Sequence, residues 1–171
     1  MTGDDKKRPV EERIASLLGK SAYVDIRDGL GGTCPLRIRD QDIAAALGWV
    51  AQRVGVVGPK VLETHYASTL LHKDALRREW ESVERGRMGP LTDRQIVLLR
   101  FAGEMAVRQM ASTRYTTSHF ADIAYLIHCR RDDLQTRTAQ AAAWLEGIRA
   151  TALSVLCESL RDRWEPRAAT A

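Results

Sequence analysis

The chain is poor in the features that would place it in a membrane, outside the cell or around a metal. None of its apolar runs approaches the roughly twenty residues needed to cross a bilayer. The opening MTGDDKKRPV is polar and carries acids, unlike a secretory signal. A cytoplasmic protein with no membrane partner is therefore expected. Cysteine is scarce: Cys34, Cys129 and Cys157 stand far apart and form no Cys-x-x-Cys pair, which argues for reduced thiols and against a zinc site or a disulfide framework. His65, His72, His119 and His128 are just as scattered. Although His65 and Cys129 could meet in space, no metal and no cofactor is expected. There is no Ser/His/Asp set and no carboxylate pair with the marks of a catalytic site, so a binding protein is expected rather than an enzyme. Internal repeats are absent, and low complexity is confined to the tail PRAATA.

What remains is ordinary globular material with a basic bias. A chain of 171 residues, 44% apolar and 28% charged, is long enough for one well-buried domain or two small ones. A net charge of +4 favours an anionic partner such as nucleic acid.

Along the chain nearly every periodic segment has helical spacing, and the fold class expected is all-α. Pro9 opens a short docking helix, VEERIASLLGK, that Gly19 ends. From Ser21 to Asp40, Gly29, Gly31, Gly32 and Pro35 forbid a regular helix and leave an irregular Gly-rich loop with at most two brief strands, YVDI and LRIR. The loop lacks the Lys and Ser/Thr spacing of a P-loop. If LRIR is extended, Arg37 and Arg39 share one face and can grip phosphate or an acidic protein surface; the alternative is a solvated edge. Asp40 can cap a helix through Val54 that Gly58-Pro59 breaks. VLETHYASTLLHKDALRREWESVE follows as one long helix, or two with a bend near Lys73.

RGRMGP, Arg85 to Pro90, reads as a linker between an N-terminal region, residues 1–84, and a C-terminal one, residues 91–171. Thr92 and Gln95 form a capping-box pattern that opens a helix through Met110, with Ile96, Leu99, Gly103, Ala106 and Met110 on a narrow, close-packing face. STRYTTS, Ser112 to Ser118, leads into the next helix, which Thr117 or Ser118 can cap. A last helix begun near Asp132 can continue to Leu160.

The stretch SHFADIAYLIHCRRDDLQTRTAQAAAWL, Ser118 to Leu145, organises the rest. Phe120, Ile123, Ala124, Leu126, Ile127, Leu134, Ala141 and Leu145 keep a helical period across a polar interruption, His128 to Asp133. This is the outline of a helix-turn-helix. Ala124 is the small residue that lets the two helices close, and Leu134 pins the second helix while its outer face stays free for a DNA groove. A helical hairpin with only a packing role would give the same pattern. His128 stands where a glycine is common, and Asp132 with Asp133 would bring negative charge near DNA, although both suit a helix N-terminus. If the second helix enters a major groove, Arg130, Arg131, Gln135, Thr136 and Arg137 are placed to contact DNA, with Arg114 and Tyr115 on phosphates ahead of it.

The order Asp-Ile-Ala, a Leu-Ile pair, a polar turn, Leu134, Ala141 and Leu145 resembles the DNA-binding region 4 of sigma factors, and LTDRQIVLLRF, Leu91 to Phe101, is similar to the helix that precedes that unit. With LETHYAST in the first half, these passages resemble phage Q-type transcription antitermination proteins and bacterial regulators of the same plan, over about a third of the chain. The cysteine clusters that some members use for zinc are missing. The resemblance implies a protein that binds double-stranded DNA beside a promoter, engages RNA polymerase holoenzyme directly or through its sigma factor, and lets it read through terminators. Arg37 and Arg39 would then face polymerase or nascent RNA. A promoter-binding activator or repressor that stays at its site is one alternative. A helical RNA-binding small subunit of a ribonucleoprotein such as a CRISPR effector is another.

Overall fold

The computed structural model describes residues 40–164, and within them every regular element is a helix. There are six in this span: α1 (Asp40–Val54), α2 (Val57–Tyr66), α3 (Lys73–Met88), α4 (Asp93–Met110), α5 (Thr117–Leu126) and α6 (Arg131–Trp164). The helix expected after Pro9, the brief strands of the Gly-rich loop, and Arg37 and Arg39 lie outside the described residues.

The last helix is the spine. At 34 residues α6 is about 50 Å long, and one stripe of it serves three successive clusters of buried side chains. Near its start Leu134 meets Ala102 and Met105 of α4 and Phe120 and Ala124 of α5. In the middle Ala141 and Leu145 join Val61, Leu76, Trp80, Leu99, Ala106 and Val107 from α2, α3 and α4. Toward its end Ala152, Leu156 and Leu160 pack with Ile43, Ala46 and Val50 of α1 and Leu62 of α2. The spacing of four and seven keeps these positions on one face. Thr138, buried in the same stripe, donates its hydroxyl to the Leu134 carbonyl at 2.8 Å, so it brings no unpaired polar group into the core.

Helix boundaries follow local chemistry, with two departures from the sequence reading. Thr92 and Gln95 do form the capping box of α4: Gln95 N–H donates to Thr92 Oγ1 at 3.4 Å and Thr92 N–H to Gln95 Oε1 at 2.9 Å. The break after Val54, however, falls at Gly55, whose φ of +89° suits glycine. Gly58 and Pro59 instead sit in the first turn of α2, where a proline's missing N–H costs no helical hydrogen bond. Gly58 has a packing reason, since a Cβ there would come within 2.9 Å of Val50 Cγ1 and so hold α1 and α2 apart. Around residues 67–72 the chain takes the second of the two forms expected, one helix ending at Tyr66 and the next beginning at Lys73. Finally, residues 85–88 of the expected linker are the last turn of α3. The core runs past this point, because Val61, Leu76 and Trp80 on one side of it share a cluster with Leu99, Ala141 and Leu145 on the other.

Trp80 is wedged at the centre. It is 1% exposed, its ring centroid lies 5.9 Å from that of Trp144, and a Cβ on Gly103 would stand 2.8 Å from its Cδ1. Gly103 therefore lets α3 and α4 close on a flat ring that has nowhere to retreat. Gly103→Ala is expected to cost about 1–3 kcal/mol by overpacking. Gly86→Ala, in α3 with open space around it, is expected to gain roughly 0.5–1 kcal/mol. Urea unfolding of both variants checks the pair, and equal effects would show that the α3–α4 approach does not depend on Gly103.

Candidate nucleic-acid interface

The hairpin of α5 and α6 is assembled by a turn whose backbone must bend left-handed. Ile127 N–H reaches the Ile123 carbonyl at 3.0 Å, His128 N–H that of Tyr125 at 3.2 Å, and Cys129 N–H that of Ala124 at 3.0 Å. These bonds close a Schellman motif, in which the residue after the cap sits in the left-handed region. That residue is His128, at φ +52°. The glycine common at this point of such turns is thus replaced by a side chain that accepts the same backbone conformation at some strain. Beneath the turn Ala124 and Leu134 share one buried cluster with Phe120, at 3%, 0% and 8% exposure, on the inner side of the hairpin where the small residue and the aliphatic anchor were expected.

The start of α5 differs from expectation by one residue. Thr116, not Thr117 or Ser118, is the N-cap, and its amide donates to Nδ1 of His119 at 3.1 Å. A histidine here fills the place that a glutamate or glutamine takes in the usual box. Leu126, expected on the apolar face, is 73% exposed, and Tyr125 beside it is 81% exposed. Successive helical residues are about 100° apart, so once Ala124 and Ile127 face the core these two cannot. Tyr125 was not singled out from the sequence, although three apolar residues in a row after Ala124 already meant that one or two would face outward.

The expected DNA-facing residues separate into two groups. Arg114, Arg130, Arg131 and Thr136 are exposed, and Gln135 is partly so. Arg131 holds Asp132 at 3.1 Å, which removes part of the acidic charge from the first turn of α6. Tyr115 and Arg137 are engaged within the fold. Tyr115 packs against the third cluster, 6.1 Å between ring centroids from Phe120, and burial, followed by the charge of Glu104 and against that of Arg108, pushes its phenol above the ordinary range. Arg137 donates to Gln140 at 2.9 Å and to Glu84 of α3 at 3.4 Å. Burial and the nearby Asp133 push the Cys129 thiol upward, away from the thiolate form that reacts. Among the described residues no three His, Cys, Asp or Glu side chains converge on a metal-sized site.

Arginines gather instead where α3 meets α4. Glu81, 7% exposed, receives Arg77 in a short contact, Arg100 at 3.7 Å and Arg85 at 4.0 Å. Glu84, 4% exposed, receives Arg87 at 3.1 Å as well as Arg137. Beside this network a groove of about 350 Å³ runs between Met88, Gln95 and Leu98 on one wall and Asp133, Thr136 and Gln140 of α6 on the other. On the far side of α4, Glu104 binds Lys73 at 3.1 Å and Arg108 at 2.9 Å. Burial alone would raise its pKa, but the hydrogen bonds and charges of Arg108 and Lys73 outweigh it and hold the carboxyl below the ordinary range.

No family model, curated protein or solved structure matches the chain, so what the site can do is argued from its own geometry.

Two outcomes test this geometry. Ala124→Leu is expected to overpack the hairpin and cost about 1–3 kcal/mol, whereas His128→Gly relieves the left-handed strain and should gain roughly 0.5–1 kcal/mol; thermal melts that rank them otherwise would refute the drawn turn. Because the folded pKa of Glu104 is depressed, its contribution is present above the unfolded range and is lost as pH falls below about 4.3. Glu104→Gln should therefore flatten the acid limb of stability against pH and leave its alkaline limb unchanged.

Proposed function

We propose that this chain is a DNA-binding transcription factor, not an enzyme, that loads at a promoter-proximal duplex site through α5 and α6 and acts as an antitermination factor on RNA polymerase. The observation that carries the DNA-binding part is the hairpin itself. A small residue, Ala124, shares a buried cluster with the anchor Leu134 under a tight left-handed turn, and the start of α6 leads outward with Arg130, Arg131 and Thr136 exposed. A helix held this way offers its N-terminal side chains to a major groove while its inner stripe stays buried. Arg130 and Arg131 can donate to guanine or phosphate, and Gln135 can pair with adenine. The antitermination part rests on the resemblance of LETHYAST, LTDRQIVLLRF and the hairpin sequence to Q-type proteins, with Arg37 and Arg39 assigned to polymerase or emerging RNA.

A second reading is favoured by one observation. Past its first turns, the fully exposed positions of α6 as far as Ala150 are Ala139, Gln140, Ala143, Glu146, Gly147 and Ala150, none of them cationic, while arginines cluster on α3 and α4. A helical protein that tracks a nucleic-acid backbone without reading bases, such as the small subunit of an RNA-protein complex, would have this distribution.

The two are separated by binding and transcription. For the first reading, Gln135→Ala should lose about 1–3 kcal/mol on a selected duplex site and little on random duplex. Full-length protein should also raise readthrough in a run-off assay only on templates that carry that site, and Arg37→Ala with Arg39→Ala should reduce readthrough more than DNA affinity. Equal loss on both duplexes, or binding to RNA alone, would sink base reading by α6. A change in initiation without one in termination would leave a simple promoter-bound regulator.

A further inference from the structure

Between Arg85 and Gly103 the chain carries four arginines, Arg85, Arg87, Arg94 and Arg100, against one acid, Asp93, a local balance of +3. These residues form the end of α3, the connection at Gly89 and Pro90, and the first half of α4. Arg94 is exposed, and the side chains of Arg85, Arg87 and Arg100 are 51%, 66% and 52% exposed.

The buried carboxylates beneath do not need these outer arginines. Glu81 already has Arg77, whose side chain is 13% exposed, and Glu84 has Arg137, at 29%. One inner guanidinium is enough to neutralise each buried carboxylate. Arg85 and Arg100 then add only long contacts, at 4.0 and 3.7 Å, and Arg100 presents Nε to Glu81, which leaves its terminal N–H groups free to bond elsewhere. The carboxylates still restrict the outer guanidiniums to a fixed region, so less rotamer freedom is lost when they meet a ligand. Arginines alone, with no lysine, make up this cationic set, and a planar fork of donors suits phosphate oxygens.

Position supplies the other half of the argument. Through Glu84, Arg87 lies one carboxylate away from Arg137 on α6, and the groove between Gln95 and Thr136 separates the α3–α4 end from the exposed start of α6 by a single cleft. Asp133 on the α6 wall would repel a phosphate from the cleft floor, so the anion would ride on the arginine side. We infer that Arg85, Arg87, Arg94 and Arg100 form a ridge that binds the sugar-phosphate backbone of the duplex whose groove α6 enters, sequence-independently and next to the reading helix. The inference rests on the duplex-binding reading above.

The test is fluorescence anisotropy with a 20-base-pair duplex of arbitrary sequence, across a salt series, using the full chain. Arg85→Ala with Arg87→Ala removes two outer arginines while each buried carboxylate keeps its inner partner, and a thermal melt checks the fold. Loss of two phosphate contacts should flatten the slope of log affinity against log salt by about 1.8 and weaken binding roughly tenfold to sixtyfold at 0.1 M salt. Arg85→Lys with Arg87→Lys should restore most of the slope. A folded Ala variant with wild-type slope, when Arg130→Ala with Arg131→Ala loses binding, overturns the ridge and leaves the hairpin reading intact. Loss in the ridge variant with none in the hairpin variant supports the ridge and removes α6 from the interface. If wild-type protein binds no duplex at 50 mM salt, both readings fall.

Discussion

The structure depends on burying one continuous stripe of α6. Leu134, Ala141, Leu145, Ala152, Leu156 and Leu160 recur at four- and seven-residue spacing and bring five other helices to one surface. The long helix cannot stand alone in water, because isolated helices are marginal and its stripe would be solvated. Nor can the shorter helices: α2 and α5 are ten residues each, and each holds its shape by what it buries against α6 or its neighbours. Folding is thus a matter of docking several amphipathic pieces on one long one, with Trp80 of α3 packed against Trp144 of α6. The Trp80 indole N–H is buried there with no hydrogen-bond partner among the described residues, a cost that the ring's contacts offset.

This arrangement ties the hairpin to the rest of the molecule. The helix proposed to read DNA is also the helix that α1 and α2 grip near its far end, so its tilt is set over its whole length rather than by the turn alone. Arg137 adds a polar restraint close to the proposed interface, since its bond to buried Glu84 fixes α6 against α3. The expected division at residues 85–90 therefore falls in the middle of a shared core. Residues 91–171 alone would leave Ala141 and Leu145 without Val61, Leu76 and Trp80, and Leu156 without Val50 and Leu62. A fragment of that kind exposes apolar surface on the same helix whose outer face is under test.

Much of this was legible in the sequence, and the failures have local causes. Periodicity located the apolar faces of α4 and of the first half of α6, and residue size alone pointed to Ala124 against Leu134 and to Gly103 on a close-packed face. Gly58-Pro59 misled because glycine and proline mark both the end of one helix and the first turn of the next, and only the backbone tells them apart: Gly55 bends at positive φ, while Gly58 makes room for Val50. Arg85 to Met88 looked like a linker by composition, yet those residues keep helical geometry, as basic side chains in a last turn favour. Leu126 was assigned to the core by its chemistry, against the 100° step that puts it outside. The engagement of Arg137 had no sequence signal, since Glu84 lies 53 residues away.

Shape and charge come from different parts of the molecule. The hairpin presents a helix with a free outer face, but that face carries few cations, and its first turn holds Asp132 and Asp133, which stabilise the helix terminus and repel phosphate. In the proposed reading, Arg130 and Arg131 supply part of the attraction for the duplex backbone, and the exposed guanidiniums at the end of the α3–α4 pair supply the rest. Two buried glutamates make that concentration tolerable, because they lower the mutual repulsion of five arginines while remaining shielded from any ligand outside. An arginine cluster without them would be less stable, and glutamates at the surface would cancel its field. Placing the acids inside and the bases at the rim keeps the fold closed and the outward field positive.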